Sequence, residues 1–434
     1  MPKVAFYTLG CKVNQYESAA MAELFTKRGY EVVGFNTQAD VYVINTCDVT
    51  NESGRKSRQI IRKAIRKNPS AKVAVVGCYA QLETAEVLSI PGVSVVVGTK
   101  DRHRIVDLVE ETKKSNEPVV VVGNIMKQRT FEEIAFKGHR QKTRAFLKIQ
   151  EGCNMFCSYC IIPYARGPIR SRTIDSILAE TENLSRDGFK EIVLTGIHLG
   201  LYGYDFRDKH NHLLDVISRI SQIEGIERIR LSSIEALELT DEFLDGLFKI
   251  RSFCHHFHIP LQSGCDTVLR RMNRRYTTDS FRNRIEYIRE IMPDVSITTD
   301  IIVGFPGETD EEFSETENFI REMGFSKLHV FPFSPRRGTL AANMPNQIKK
   351  NVKTDRSHKL ILLSEKLERN FRERFINTTK EVLFEDKKHY NIYEGLTENY
   401  IKVEVESPGD LHNKIIPVRL RKNLANHIFG EIKK

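Results

Sequence analysis

The sequence predicts an α/β protein in three parts: an N-terminal open parallel-sheet domain, a central partial (βα)6 barrel and a small C-terminal β-barrel. Three observations carry this reading. Short apolar runs alternate with amphipathic helical stretches over the first 110 residues; the alternation resumes between 146 and about 374 with six strand candidates; and the last 60 residues lose helical periodicity. At 434 residues the chain has room for several domains and a substantial core.

In the first part, assigned to residues 1–111, the runs 4–8, 41–45, 73–76 and 93–97 are continuously apolar, as strands buried on both faces of a parallel sheet must be. Cys11, Cys47 and Cys78 each follow one of the first three runs, 36 and 31 residues apart, about one βα unit per step. All strand C-termini of an open parallel sheet lie on one edge, so thiols distant in sequence meet there. A lone cysteine after a strand is ordinary packing; three equivalent placements point to a shared set of iron–sulfur ligands. Residues 53–72 hold eight Lys and Arg and no acid, with Ile60, Ile61, Ala64 and Ile65 marking the buried stripe of a helix whose bases face outward. Residues 112–144 turn polar and basic and read as a linker containing one strand, 119–122.

The central part, residues 145–374, has strand candidates at 146–150, 191–196, 228–234, 255–261, 295–304 and 327–333, separated by helical patterns such as 173–186 and 308–323. The second of these begins with acids that suit the helix dipole. Directly after the first strand stands Cys153-Asn-Met-Phe-Cys157-Ser-Tyr-Cys160. This spacing wraps three thiolates around one face of an iron–sulfur cube and leaves the fourth iron without a protein ligand, open to chemistry. A zinc site needs a fourth Cys or His nearby, and none follows. Other polar or glycine-bearing segments also fall at strand ends: Gly196 to Gly200 around His198, Ser232 to Glu235, Gln262, and Gly304-Phe-Pro306-Gly307-Glu308, a turn that lets backbone amides approach a ligand. His255-His256-Phe-His258 is read as structural because neighbours on a strand point to opposite faces, and Cys254 and Cys265 as ordinary buried thiols.

The chain carries a net charge of +9, which suggests a polyanionic partner. Besides 53–72, bases cluster at Arg270, Arg271, Arg274 and Arg275, and at 349–374, with nine bases against four acids. The last part, residues 375–434, has strand candidates at 381–385, 400–406 and 414–421 and is nearly balanced, with ten bases and nine acids. No run of about 18 apolar residues occurs and the first ten residues lack a signal-peptide plan, so the expectation is a soluble cytoplasmic protein.

At Cys153, Cys157 and Cys160, with an aromatic Tyr159 before the last, the chain resembles the radical S-adenosylmethionine (SAM) enzymes. The three-part order resembles the radical SAM methylthiotransferase family, whose terminal RNA-binding TRAM barrel is similar to the segment around Gly395, Asn399 and Tyr400. The motifs Leu9-Gly10-Cys11-Lys12-Val13-Asn14-Gln15-Tyr16-Glu17-Ser18, Ala165-Arg166-Gly167-Pro168-Ile169-Arg170-Ser171-Arg172 and Ile259-Pro260-Leu261-Gln262-Ser263-Gly264 look most like the branch acting on N6-threonylcarbamoyladenosine at position 37, beside the tRNA anticodon. The resemblance implies two 4Fe-4S clusters, on Cys153, Cys157 and Cys160 (catalytic) and on Cys11, Cys47 and Cys78. It implies SAM contacts from Tyr159, Gly196, Gly200, Glu235, Gln262, Gly304, Pro306 and Gly307, and two SAM molecules consumed per turnover. It also implies a tRNA substrate, an electron donor such as flavodoxin or ferredoxin, and a sulfur donor that the resemblance does not identify. An adenine C2–H bond is neither acidic nor electrophilic, so acid–base and nucleophilic routes have no entry and a radical route does. The alternatives are an isopentenyladenosine tRNA, a ribosomal-protein aspartate, or a non-enzymatic iron–sulfur RNA-binding sensor.

Overall fold

The computed structural model describes residues 1–112, 117–134, 143–207 and 212–433; the basic stretch 137–142 lies outside them. The first domain is a six-stranded, all-parallel sheet. Its strands are β1 (Lys3–Thr8), β2 (Glu31–Val33), β3 (Val41–Thr46), β4 (Lys72–Gly77), β5 (Val93–Val97) and β6 (Val119–Val121), in the order β2-β1-β3-β4-β5-β6. The four apolar runs are β1, β3, β4 and β5, and β3 is buried at every residue. β2 escaped notice because it is three residues long and largely exposed. The strand inside 112–144 is not linker: Val95 to Val97 pair with it, making β6 the sheet's outer edge.

The helix Asn51–Lys67 starts with a capping box between Thr50 and Ser53 and buries Gly54, Ser57, Ile61 and Ala64, leaving Arg55, Lys56, Arg62, Lys63 and Arg66 exposed. The other two basic runs are partly spent inside the protein. In the helix Lys350–Glu373, Arg356 pairs with Glu308 at 2.6 Å and Arg372 with Glu368 at 2.9 Å, while Arg271 pairs with Glu312 at 2.6 Å and Arg274 is buried.

The central domain sets out six parallel strands: β7 (Arg144–Lys148), β10 (Glu191–Thr195), β11 (Arg228–Leu231), β12 (His256–His258), β13 (Ser296–Val303) and β14 (Lys327–Pro332). They form two three-stranded sheets, β7-β10-β11 and β12-β13-β14, joined through the bridges Ile229–Phe253 and Ser233–His258. A short ribbon of β8 (Gln150–Glu151) and β9 (Arg170–Ser171) closes over the end of β7. Every connection runs through helices packed outside on a single core that includes Leu147, Ile192, Ile229, Phe257, Ile301 and Phe281. Among the described residues no helix is long and apolar enough to cross a membrane.

The C-terminal domain is a closed five-stranded barrel of β15 (Thr379–His389), β16 (Ile392–Thr397), β17 (Lys402–Glu406), β18 (Ile415–Asn423) and β19 (Ile428–Ile432). It docks against the N-terminal ends of the central strands through Tyr400, whose left-handed backbone (φ 68°) drives its ring against His256, 4.6 Å away, and beneath the Arg230 guanidinium at 4.5 Å. Arg228 and Arg230 donate to the carbonyls of Leu396 and Glu398 at 2.8 and 2.9 Å. Tyr400 is therefore a structural plug as well as part of the barrel's surface.

The first two domains are joined by a buried ion network. Glu17 accepts from Lys148 Nζ at 2.8 Å and Arg166 Nη1 at 2.6 Å, and also pairs with Arg102; Glu151 accepts from Arg166 at 2.6 Å and also pairs with Lys148. Burial alone would raise the Glu17 carboxyl, but Arg102, Arg166 and Lys148 overrule it and hold the pKa down at about 2. Removing one partner strands a buried charge, so Lys148→Met is expected to cost about 3–5 kcal/mol, measured as a fall in the urea midpoint. Because the folded carboxyl titrates below its unfolded value, Glu17 contributes its full stability above about pH 4.5 and loses it as the pH falls towards 2.

Candidate active site

The loop carrying Cys153, Cys157 and Cys160 leaves β8 through Gly152, where φ is 77° and a Cβ would lie 1.9 Å from the Pro168 carbonyl oxygen, so only glycine fits. The loop is pinned by Cys153 N donating to the Gly167 carbonyl (3.0 Å), Ser158 N to Met272 (3.0 Å) and Ser158 Oγ to Arg271 (2.8 Å). Two cations stand at its thiols. His198 Nδ1 lies 3.3 Å from Cys153 Sγ while its Nε2 meets Glu238 Oε1 at 3.0 Å; Arg274 Nη1 lies 3.4 Å from Cys157 Sγ and pairs with Glu235 on its other side. Burial would lower the His198 pKa, yet Cys153 and Glu238 raise it to about 10, so the ring is an imidazolium at neutral pH. Burial, then neighbouring Cys157, pushes the unligated Cys160 thiol up to about 12.

The second trio gathers at the C-terminal edge of the first sheet, beyond β1, β3 and β4. Cys11 is exposed, and Cys47 and Cys78 are buried. A Cβ on Gly10 would stand 3.0 Å from Cys47 Sγ. Arg166 Nε donates to Cys78 Sγ at 3.3 Å, while its Nη2 reaches Asn14 Oδ1 at 2.5 Å. Asn14 in turn donates to the carbonyls of Leu9 (2.7 Å) and Thr46 (3.1 Å), tying together the loops that carry Cys11 and Cys47. Burial drives the Cys78 thiol up to about 12, with Arg166 acting against it.

The edge of the first sheet faces the mouth of the central barrel. A cavity of about 300 Å³ is lined by Cys11, Lys12 and Val13 from one side and by Gly196, Ser232, Ser233 and Asp300 from the other. Beside it, a cleft of about 230 Å³ is lined by Tyr159, Cys160, Gln262 and Ile302 of the barrel and by Val49 and Thr50, two and three residues after Cys47. Both trios thus open onto adjoining space between the domains.

Tyr159 and Gln262 line the cleft; Gln262 holds a left-handed backbone (φ 67°) by donating its N–H to the Asp300 carbonyl at 2.8 Å. Gly196 lines the cavity, where a Cβ would strike Gln150 Oε1 at 2.8 Å. Gly200 instead lets Glu238 approach His198, since a Cβ there would lie 2.7 Å from the Glu238 side chain. Glu235 is occupied by Arg274. Gly304, Pro306 and Gly307 are not among the residues lining the cleft, and the two glycine amides have partners within the protein. Gly304 N donates to Glu308 Oε2 at 2.6 Å and Gly307 N to the Asn346 carbonyl at 2.9 Å. Sequence reasoning missed Arg166, His198 and Arg274 as partners of the thiols. Arg274 was indistinguishable from its basic neighbours, and nothing in the spacing of Arg166 or His198 forecasts a thiol contact.

A model of the radical SAM superfamily matches residues 147–320, and one of the uncharacterized protein family UPF0004 matches residues 3–98. The threonylcarbamoyladenosine tRNA methylthiotransferase MtaB of Bacillus subtilis (strain 168) is 47% identical over 99% of this chain and 96% of its own length. The chain belongs to the radical SAM methylthiotransferase family. The MtaB protein of Aquifex aeolicus (strain VF5) is 40% identical over 93% of this chain and 97% of its own length. A tRNA-2-methylthio-N(6)-dimethylallyladenosine synthase of Caldicellulosiruptor saccharolyticus is 33% identical over 98% of this chain and 91% of its own. In fold, this methylthiotransferase is similar to the radical SAM methyltransferase TsrM of Kitasatospora setae, at a TM-score of 0.58 and 15% identity over 79% of this chain and 77% of that one.

Membership in a radical SAM family implies one 4Fe-4S cluster and SAM. The residues of this methylthiotransferase fit them: the donors at 153, 157 and 160 are all thiols, and cations stand beside two of the three to offset thiolate charge. Among the described residues, neither trio has its sulfurs mutually within 4.8 Å. A single tetrahedral zinc with Zn–S bonds of ~2.3 Å draws its thiolates to about 3.8 Å of one another, so the wider set suits a larger body than one ion. Arg274→Gln is expected to weaken iron retention by about 10- to 100-fold, read by timed chelator challenge of the reconstituted protein.

Proposed function

We propose that this enzyme adds a methylthio group to C2 of N6-threonylcarbamoyladenosine at position 37 of tRNA, giving 2-methylthio-N6-threonylcarbamoyladenosine. The observation that carries the reading is the adjoining space between the two domains: Cys11 and the barrel's strand ends line one cavity and Cys160 lines the cleft beside it, so that a base inserted from the open side would reach both domains. The relatives with the higher identities, 47% and 40%, are named for this substrate, and those named for dimethylallyladenosine stand at 32–33%.

The second trio, Cys11, Cys47 and Cys78, is read as ligands of a second 4Fe-4S cluster. A 4Fe-4S cluster held by Cys153, Cys157 and Cys160 would supply the electron for cleavage of one SAM, and one held by Cys11, Cys47 and Cys78 would carry the sulfur that another SAM methylates, so two SAM molecules would be used per product. The chain's own residues do the remaining work. Tyr159 and Gln262 wall the SAM cleft, Gly196 leaves room at the cavity, and His198, Arg274 and Arg166 hold the thiols in place and balance their charge. The exposed bases of Asn51–Lys67, with the terminal barrel, are assigned to tRNA phosphates, and electrons to a flavodoxin- or ferredoxin-like donor in the cytoplasm.

The substrate is tested by offering the anaerobically reconstituted enzyme two tRNAs in competition, one carrying threonylcarbamoyladenosine and one isopentenyladenosine. Preferential methylthiolation of the first supports the reading. Preference for the second assigns the chain to the other substrate.

A further inference from the structure

Lys12, the residue after Cys11, opens the helix Lys12–Lys27 and reaches into the central barrel. It lines the cavity under Cys11 and also a second cavity of about 380 Å³ that runs on towards Tyr400 and the terminal barrel; His258 and His329 line both as well. The two spaces therefore meet at Lys12, His258 and His329. The neighbouring cations are already engaged. Arg230 pairs with Glu191 at 2.8 Å, Arg144 pairs with Glu385, and Arg228 donates to the carbonyls of Leu396 and Glu381 at 2.8 and 2.9 Å. His258 is held by Thr298 at 2.8 Å and Asp300 at 3.2 Å. Among the described residues the Lys12 ammonium has no hydrogen bond or ion pair, and neither ring nitrogen of His329 has a hydrogen-bond partner. The first turn of the helix behind Lys12 has no acid either, so its positive dipole end is uncompensated.

A lone cation, a free imidazole and a helix N-terminus around one narrow space make a monoanion site. We propose that Lys12, assisted by His329, binds the carboxylate of the threonylcarbamoyl substituent and so sets substrate choice. The proposal rests on the threonylcarbamoyladenosine reading above. Geometry favours it because C2 and the N6 nitrogen are separated only by N1 and C6 of one ring. A base whose C2 lies under Cys11 projects its N6 substituent into the adjoining cavity, where Lys12 waits. Burial, then His258, lowers the His329 pKa, with Asp300 acting against them.

The test is a specificity ratio. Reconstituted enzyme is given tRNA bearing threonylcarbamoyladenosine and the same tRNA methyl-esterified at that carboxylate, and kcat/KM is measured for each. The wild type is expected to prefer the free carboxylate, and Lys12→Gln to reduce that preference by roughly 10- to 100-fold, the worth of one charge-assisted hydrogen bond, with Lys12→Arg restoring much of it. A purely structural lysine, or one serving the SAM carboxylate, would slow both substrates alike, and an unchanged ratio in Lys12→Gln overturns the proposal. Should the wild type methylthiolate neither tRNA while fully iron-loaded, the parent reading fails and the proposal with it.

Discussion

Cys157→Ala is expected to abolish release of 5′-deoxyadenosine when the reconstituted protein is given SAM and a strong reductant, a loss greater than about 10³-fold. Cys157 is the buried member of its trio, held between the Arg274 guanidinium and a loop pinned to Met272 and Arg271, so no neighbouring donor replaces it. Eight cysteines are present in the chain; Cys254 and Cys265 are buried elsewhere in the central domain. The variant should also lose the iron held at this trio. Undiminished deoxyadenosine in a sample checked for iron would contradict the assignment of this trio to SAM cleavage.

Cys47→Ala separates the two halves of the chemistry. Cys47 lies in the first domain, where its sulfur packs against Gly10 and its loop is tied to Cys11 through Asn14. The barrel trio is untouched by the substitution. Deoxyadenosine should therefore still form, uncoupled from product, while the methylthio nucleoside falls to background, again by more than about 10³-fold. Full product from this variant would show that sulfur does not depend on the second trio.

How far the sequence reaches depends on the kind of interaction. The strand-end positions of Cys11, Cys47 and Cys78 were legible because parallel topology puts all such ends on one edge, whatever lies between them. The C-x-x-x-C-x-x-C loop was legible because its three thiols are close in sequence. Contacts between domains were not. Arg166, 88 residues from Cys78, and Arg274, 117 residues from Cys157, become thiol partners only through tertiary packing, and a basic run gives no hint of which member turns inward. β2 and β6 were missed or set apart for a different reason: three-residue edge strands carry too little apolar pattern to register. The histidines at 255, 256 and 258 obey strand alternation, with His255 paired outward to Asp294 and its two neighbours facing the barrel cavities.

The most direct measurement is nucleoside mass spectrometry of total tRNA from a host lacking the modification, before and after expression of this chain. A methylthio mass increment on threonylcarbamoyladenosine, absent when Cys157→Ala is expressed instead, is the predicted result. An increment on another nucleoside, or none from an iron-loaded enzyme, would contradict the account.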